Sequence, residues 1–295
     1  MREIKRKTIK SFLPKRGADS NKGTFGRVLV VAGSNTMTGA AVLCAKSVLK
    51  AGAGLVVLAL PQSRQAAAIA ALPEVITFPL PETDGVIDLR ALGVLDALLK
   101  AFNPCLAVIG PGLGASPAAV PFMKQCHLPL VADADALNRL SASGLDSVFP
   151  REQITVLTPH PGEMARLLKT DIARDKKTRE QQVRTLKEKT GAVCLLKGKN
   201  TLLCAGDEVW QNPTGGSALA KAGSGDVLCG LLAGFWAQLG LAEGFNFASA
   251  QKAAACAVYL HGLSGDLAAG DLTDYCVMAG ELLDYLPDAI NQVLK

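Results

Sequence analysis

The chain has 295 residues, of which 49% are apolar and 19% charged, with a mean hydropathy of +0.26. That balance excludes intrinsic disorder, and a chain this long buries roughly 75% of its unfolded surface, enough for a large core. The net charge of +5 is carried largely by residues 1–22 and 174–189, with no basic stripe interleaved with aromatics, which argues against nucleic acid as a partner.

Residues 1–22 read as a loosely held lead-in with a short helix at most, and residues 23–295 as one domain. Val28–Ala32 reads as a buried strand, followed by Gly33-Ser34-Asn35 and a helix over Gly39–Ala51. Leu55–Leu60 is the next strand, then a helix over Gln62–Leu72. Val75–Phe78, Leu106–Ile109, Leu130–Ala132, Thr155–Leu157 and Cys194–Leu196 complete a set of strands without polar alternation. Continuous apolarity marks strands covered on both faces, and their alternation with amphipathic stretches predicts crossover connections and a mainly parallel sheet. Arg174–Lys189 reads as a solvated helix with Val183 and Leu186 turned inward. Thr201–Ala205 and Glu208–Gln211 flank Gly206-Asp207 as a hairpin. From Gly225 onward the pattern is helical, over Asp226–Leu239, Phe245–Leu263 and Val277–Leu286.

The cysteines at 44, 105, 126, 194, 204, 229, 256 and 276 form no CxxC pair and read as buried, reduced thiols of a cytoplasmic protein. Met1-Arg2-Glu3-Ile4-Lys5 lacks the apolar core of a signal peptide. The apolar segments Val42–Leu60 and Val227–Leu241 are interrupted by Lys46, Lys50 or Gln238 and by glycines, so neither reads as a membrane span.

The strongest chemical signal is Asn212-Pro213-Thr214-Gly215-Gly216 through Gly223-Ser224-Gly225-Asp226, set before a long apolar helix. Glycines there leave backbone N–H groups uncovered at a helix N-terminus, so Gly223, Ser224 and Gly225 read as an anion hole for a phosphoryl group. A carboxylate beside such a cradle, Asp226, suits removal of a proton from the hydroxyl that attacks the phosphoryl group; the alternative is a helix-capping Asp. Gly110-Pro111-Gly112-Leu113-Gly114 follows a buried strand, where open parallel sheets bind ligands, but its spacing is neither Rossmann nor P-loop. Thr158-Pro159-His160-Pro161-Gly162-Glu163 fixes His160 rigidly after another strand, as a ligand contact or a turn histidine, with Glu163 as a cap; His127 and His261 have no such setting. Lys197-Gly198-Lys199-Asn200-Thr201 puts cations at a strand end, for nucleotide phosphates or as a solvated rim. Asp133-Ala134-Asp135 puts carboxylates at a strand's carboxyl end, where Asp133 would suit magnesium-phosphate work and Asp135 helix capping.

Together with Lys22-Gly23-Thr24-Phe25-Gly26, Ala32-Gly33-Ser34 and Gly39-Ala40-Ala41, these segments resemble, in order and over roughly nine-tenths of the chain, the ADP- or ATP-dependent NAD(P)H-hydrate dehydratases of the ribokinase-like superfamily. The resemblance implies an α/β three-layer sandwich with a mostly parallel central sheet flanked by helices. It implies dehydration of NADHX or NADPHX, the ring-hydrated cofactors, with ADP or ATP as co-substrate, a magnesium requirement and a homotetramer. Carried over residue by residue, Ala41, Gly112, His160 and Asp226 look like hydrate-binding positions, with Asp226 catalytic. Lys197, Gly198, Lys199, Asn200, Thr201 and Gly225 look like adenine-nucleotide positions. Ser224 stands where relatives often carry threonine, and Ala222 where they often carry glycine. Many relatives carry an N-terminal epimerase domain; with about 22 residues ahead of the match, epimerisation is expected from a separate protein. Kinases share this fold and its glycine–aspartate turn, so a small-molecule kinase of a hydroxymethylpyrimidine or thiazole alcohol is the alternative. A non-catalytic nucleotide sensor would require a dispensable Asp226.

Overall fold

The computed structural model of the chain describes residues 1–295. Its strands are β1 (Arg2–Glu3), β2 (Arg27–Val31), β3 (Leu55–Pro61), β4 (Ile76–Leu80), β5 (Glu82–Thr83), β6 (Val86–Ile87), β7 (Leu106–Ile109), β8 (Leu130–Ala132), β9 (Thr155–Leu157), β10 (Val193–Leu196), β11 (Leu202–Cys204) and β12 (Val209–Gln211). The helices are α1 (Arg6–Phe12), α2 (Thr38–Lys50), α3 (Gln65–Ala71), α4 (Ala91–Phe102), α5 (Ala119–Gln125), α6 (Asp135–Ser143), α7 (Pro161–Leu168), α8 (Lys176–Thr190), α9 (Ser224–Glu243), α10 (Phe247–Cys276) and α11 (Leu286–Leu294).

Ten strands form one sheet in the order β1-β12-β11-β10-β9-β8-β7-β2-β3-β4. Only β11 runs against its neighbours, through the predicted hairpin; every other pairing is parallel. The continuous apolarity of the strands has the predicted cause. In β2, Val28 and Val30 pack into a core with α2, α9 and α10, while Leu29 and Val31 pack into a second core with α4 to α8. Both faces are therefore dry, and three layers result.

The chain leaves β2 in one direction, through β3 to β4, then returns to β7 on the other side of β2 and continues to β10. The β2/β7 boundary is thus a topological switch point, where loops beyond the strand ends diverge and open a crevice. Helix α9 is long and apolar enough to cross a membrane by length and composition, but 78% of its apolar window is buried in the fold. It packs between α2 and α10, and Gly230 and Gly234 allow it within contact of the α2 backbone.

Three expectations need correction. Residues 2–12 are not loosely held: β1 pairs with β12, Ile4 and Ile9 are buried, and Phe12 stacks on Trp210 with ring centroids 6.1 Å apart. The last helix is not at Val277–Leu286; that stretch holds a single 3-10 turn at Glu281–Leu283, and the helix begins beyond it, with Pro287 in its first turn. Helix α10 runs past Leu263 to Cys276, with non-helical backbone at Thr273. Six of the eight cysteines are buried as expected, whereas Cys105 is partly exposed and Cys276 exposed.

Candidate active site

The strand ends of β2, β7, β8, β9 and β10 all point to one side of the sheet, and each is followed by a segment picked out from the sequence. Main-chain bonds continue past the strands and hold these loops together: Gly110 N–H donates to Val31 O, Asp133 N–H to Ile109 O, Thr158 N–H to Ala132 O, and Lys197 N–H to Pro159 O. The Gly110–Gly114 loop fits only as glycine at its tightest points. A Cβ on Gly110 would lie 1.8 Å from Asp133 O, and one on Gly112 would lie 2.5 Å from Met37 O. Asp135 Oδ2 accepts from Gly114 N–H at 2.8 Å, so this carboxylate, in the first turn of α6, fastens the loop.

Asp133 is 1% exposed, and its Oδ1 accepts from Lys197 Nζ at 2.6 Å and from the next backbone N–H, Ala134, at 2.8 Å. Lys197 Nζ is also 3.9 Å from Glu163 Oε2. The two carboxylates raise the Lys197 ammonium despite burial, which acts in the opposite sense and is the largest influence. Glu163 performs the capping predicted for it: its Oε2 accepts from His160 N–H at 2.7 Å, while His160 Nδ1 accepts from the N–H groups of Gly162 and Glu163. Burial pushes Glu163 up to about 7, partly opposed by Lys197.

Gly223 caps α9 in the left-handed region at φ +89°, where a Cβ would also strike Leu43 and Ala279. Of the turn's amides, Ser224 N–H is engaged by Lys221 O, whereas those of Gly225 and Asp226 have no main-chain partner. A Cβ on Gly225 would begin 3.4 Å from Lys197 Nζ, so ammonium and free amides converge on one spot. That spot suits a phosphoryl group. Asp226, in the first helical turn, is pushed up to about 6 by burial and then by Asp133, against the pull of Lys197.

Beside this turn lies a cavity of about 860 Å³, large enough for a nucleotide, whose wall includes His160, Lys197, Gly198, Lys199, Thr201 and Gly225. Asn200 is in the left-handed conformation at φ +55° and turns the loop without entering that wall. Ala41 is fully buried against Gly33; the partly exposed member of its turn is Ala40, whose Cβ lies 2.9 Å from where a Gly112 Cβ would stand. His160 combines both readings, as the N-cap of α7 and an exposed cavity residue. Two groups escaped the sequence. Arg179 of α8 donates to Lys199 O at 2.7 Å and steadies the lysine loop, and His261 of α10 reaches Ser224; neither lies in a glycine motif. No group of three His, Cys, Asp or Glu side chains converges as a metal cage.

A doubly covered parallel sheet with a switch-point crevice and a glycine–aspartate turn at a helix N-terminus defines a ribokinase-like protein. A ribokinase-like superfamily protein from Enterococcus faecalis superposes with a TM-score of 0.81 at 27% identity, over 99% of this chain and 96% of that one. The family model described as NAD(P)H-hydrate dehydratase matches residues 28–288, and the chain belongs to that family. It is 43% identical over 290 residues to the bifunctional NAD(P)H-hydrate repair enzyme Nnr of Moorella thermoacetica, covering 96% of this chain and 53% of that protein. The chain spans about half the length of such bifunctional relatives. It is 32% identical to the ADP-dependent (S)-NAD(P)H-hydrate dehydratase of Bacillus subtilis, covering 95% of this chain and 94% of that protein. A crystal structure of the ADP/ATP-dependent NAD(P)H-hydrate dehydratase of that organism, co-crystallised with ATP/Mg2+, superposes with a TM-score of 0.79 at 29% identity, over 99% and 98% of the two chains.

Proposed function

We propose that the protein dehydrates the S-epimer of NADHX or NADPHX to NADH or NADPH, with ADP as phosphoryl donor (ATP in its place) and AMP and phosphate as products. The observation that carries this reading is the convergence of the free Gly225 and Asp226 amides, the Lys197 ammonium and the Asp226 carboxylate at one helix N-terminus. The named dehydratase relatives support the choice of substrate within a fold that kinases also use.

The residues divide the work. The cavity lined by Lys197, Gly198, Lys199, Thr201 and Gly225 takes the nucleotide, with Asn200 shaping its loop. The Gly112 loop and Ala40–Ala41 turn form the hydrate side, with His160 at the rim. Asp226, with a pKa of about 6, is largely ionised at neutral pH yet basic enough to take the proton of the hydrate hydroxyl. The free amides and Lys197 offset charge on the transferring phosphoryl group. A hydroxyl leaves poorly and its phosphate ester leaves well. Electron release from the ring nitrogen then expels phosphate and leaves an iminium, and loss of a proton from the adjacent ring carbon to water restores the dihydropyridine.

Magnesium belongs to the same reading. With no triad of ligands, the donor set would suit an ion carried by the nucleotide phosphates, with Asp133 or Glu163 as the carboxylate that would hold it. When bound it neutralises phosphate charge. The reading also includes a cytoplasmic setting with reduced thiols, a homotetramer, and an epimerase activity that supplies the S-epimer. The direct test is incubation with NADPHX, ADP and magnesium while following the absorbance of the dihydronicotinamide ring. Its return requires all three components if the reading is right.

A further inference from the structure

His261 comes from α10, outside every motif that marks the site, and is 6% exposed. Its Nε2 lies 3.0 Å from the main-chain oxygen of Ser224 and 3.2 Å from Ser224 Oγ. A carbonyl oxygen only accepts, so Nε2 carries the ring hydrogen. Burial pushes the imidazole down to about 4, so at neutral pH the ring bears no charge and Nδ1 holds a bare lone pair. No protein group donates to Nδ1, and the ring lines the cavity together with Thr214, Leu228 and Gly225.

Buried polar atoms in folded proteins are almost always paired, so an open acceptor on a ligand cavity calls for a donor on the ligand. Phosphate oxygens at the Gly225 turn are acceptors and cannot serve. Nδ1 and Nε2 belong to one small ring, and Nε2 is fixed to Ser224 next to that turn, so Nδ1 stays close to the phosphate end. The donor nearest to a nucleotide's phosphates is a ribose hydroxyl; the amine of adenine is farther away.

We propose that His261 is a nucleotide-specificity residue whose Nδ1 accepts a hydrogen bond from the nucleoside half of the phosphate donor, with a ribose hydroxyl as the group in reach. The proposal rests on the nucleotide-dependent reading above, and binding measurements keep the two separable. Calorimetry with magnesium would compare ADP, 2′-deoxy-ADP, 3′-deoxy-ADP and inosine diphosphate, first on the wild-type chain. One of the deoxynucleotides should bind about 3- to 10-fold more weakly than ADP, the effect of one lost neutral hydrogen bond. His261→Gln keeps an N–H for the Ser224 carbonyl but moves the acceptor, so ADP should weaken by a similar factor and the discrimination should disappear. A loss confined to inosine diphosphate and erased in the variant would assign the same acceptor to the purine amine. Equal affinities for all four ligands in the wild type, which needs no variant to fold, would overturn the proposal, as would unchanged discrimination in His261→Gln. No binding of ADP at all would overturn the nucleotide reading itself, and this proposal with it.

Discussion

Lys197 Nζ lies 2.6 Å from Asp133 Oδ1, joining two strand ends that stand 64 residues apart in the chain. The pair brings a cation to the edge of the Gly225 turn and at the same time satisfies a carboxylate that is 1% exposed. Removing the lysine alone strands a buried charge. Lys197→Met should therefore destabilise the fold by about 3 kcal/mol, and Lys197→Met combined with Asp133→Asn should recover most of that loss. Neither variant should use ADP efficiently. Denaturant unfolding combined with calorimetry checks both halves; a double variant with wild-type ADP affinity would remove Lys197 from the nucleotide site.

Asp226→Asn should fold, bind both ligands and lose turnover by about 10² or more, the usual share of a general base. In the wild type, activity should rise with pH through about 6, as Asp226 loses its proton. The stability effect has the opposite sign. The folded pKa lies above the unfolded one, so the native state is favoured below about 4 and that advantage fades as pH rises through about 6. At pH 8 Asp226→Asn should therefore be more stable than wild type, by about 1–2 kcal/mol after solvent screening. Thermal melts at two pH values would show it; an Asn variant with undiminished rate would exclude Asp226 as the base.

Gly225 has ordinary helical backbone, where valine is no poorer a helix former than glycine, so Gly225→Val should be tolerated by the fold. Its side chain would rise between Lys197 Nζ and the free amides, where the phosphoryl group is placed. ADP affinity should fall by at least 10-fold, and hydrate binding should change little. Unaltered ADP binding would move the anion site elsewhere.

His160 has two jobs that substitution can separate. His160→Asn keeps an N-cap acceptor for α7 and removes the imidazole, whereas His160→Ala loses both. Both variants should raise the apparent KM for the hydrate more than that for ADP, and only His160→Ala should also lose about 1 kcal/mol of stability. Because His160 shares a cavity wall with Lys197 and Lys199, an effect confined to ADP would assign it to the nucleotide.

The sheet was legible because its strands are apolar on both faces, and no other common arrangement buries such runs. The helix Ala119–Gln125 was not, because Pro121 looks like a breaker although a proline in the first helical turn lacks only an N–H that would be unpaired anyway; the helix capped by Glu163 was legible, starting at Pro161 rather than at Glu163. The same logic misplaced the C-terminal helix, whose true start was marked by Leu286-Pro287-Asp288. Within the site, motifs that follow a strand directly were visible, since a glycine or a carboxylate at a strand's carboxyl end adds little to a core and much to a ligand crevice. Asp133 with Lys197, and Ser224 with His261, meet only through tertiary packing. No periodicity links residues on separate elements, so Asp133 was read for magnesium without its lysine partner and His261 had no reading.

The central claim is that phosphorylation at the Asp226 turn ends in elimination, and phosphorus NMR of the complete reaction tests it most directly. Each dihydronicotinamide regenerated from NADPHX should be matched by one inorganic phosphate and one AMP, or one ADP when ATP is supplied. No phosphorylated organic product should accumulate, because the ring nitrogen drives phosphate out of the ester as soon as it forms. A persistent phosphomonoester, or faster turnover of a thiazole or pyrimidine alcohol than of NADPHX, would contradict the account and make the protein a kinase.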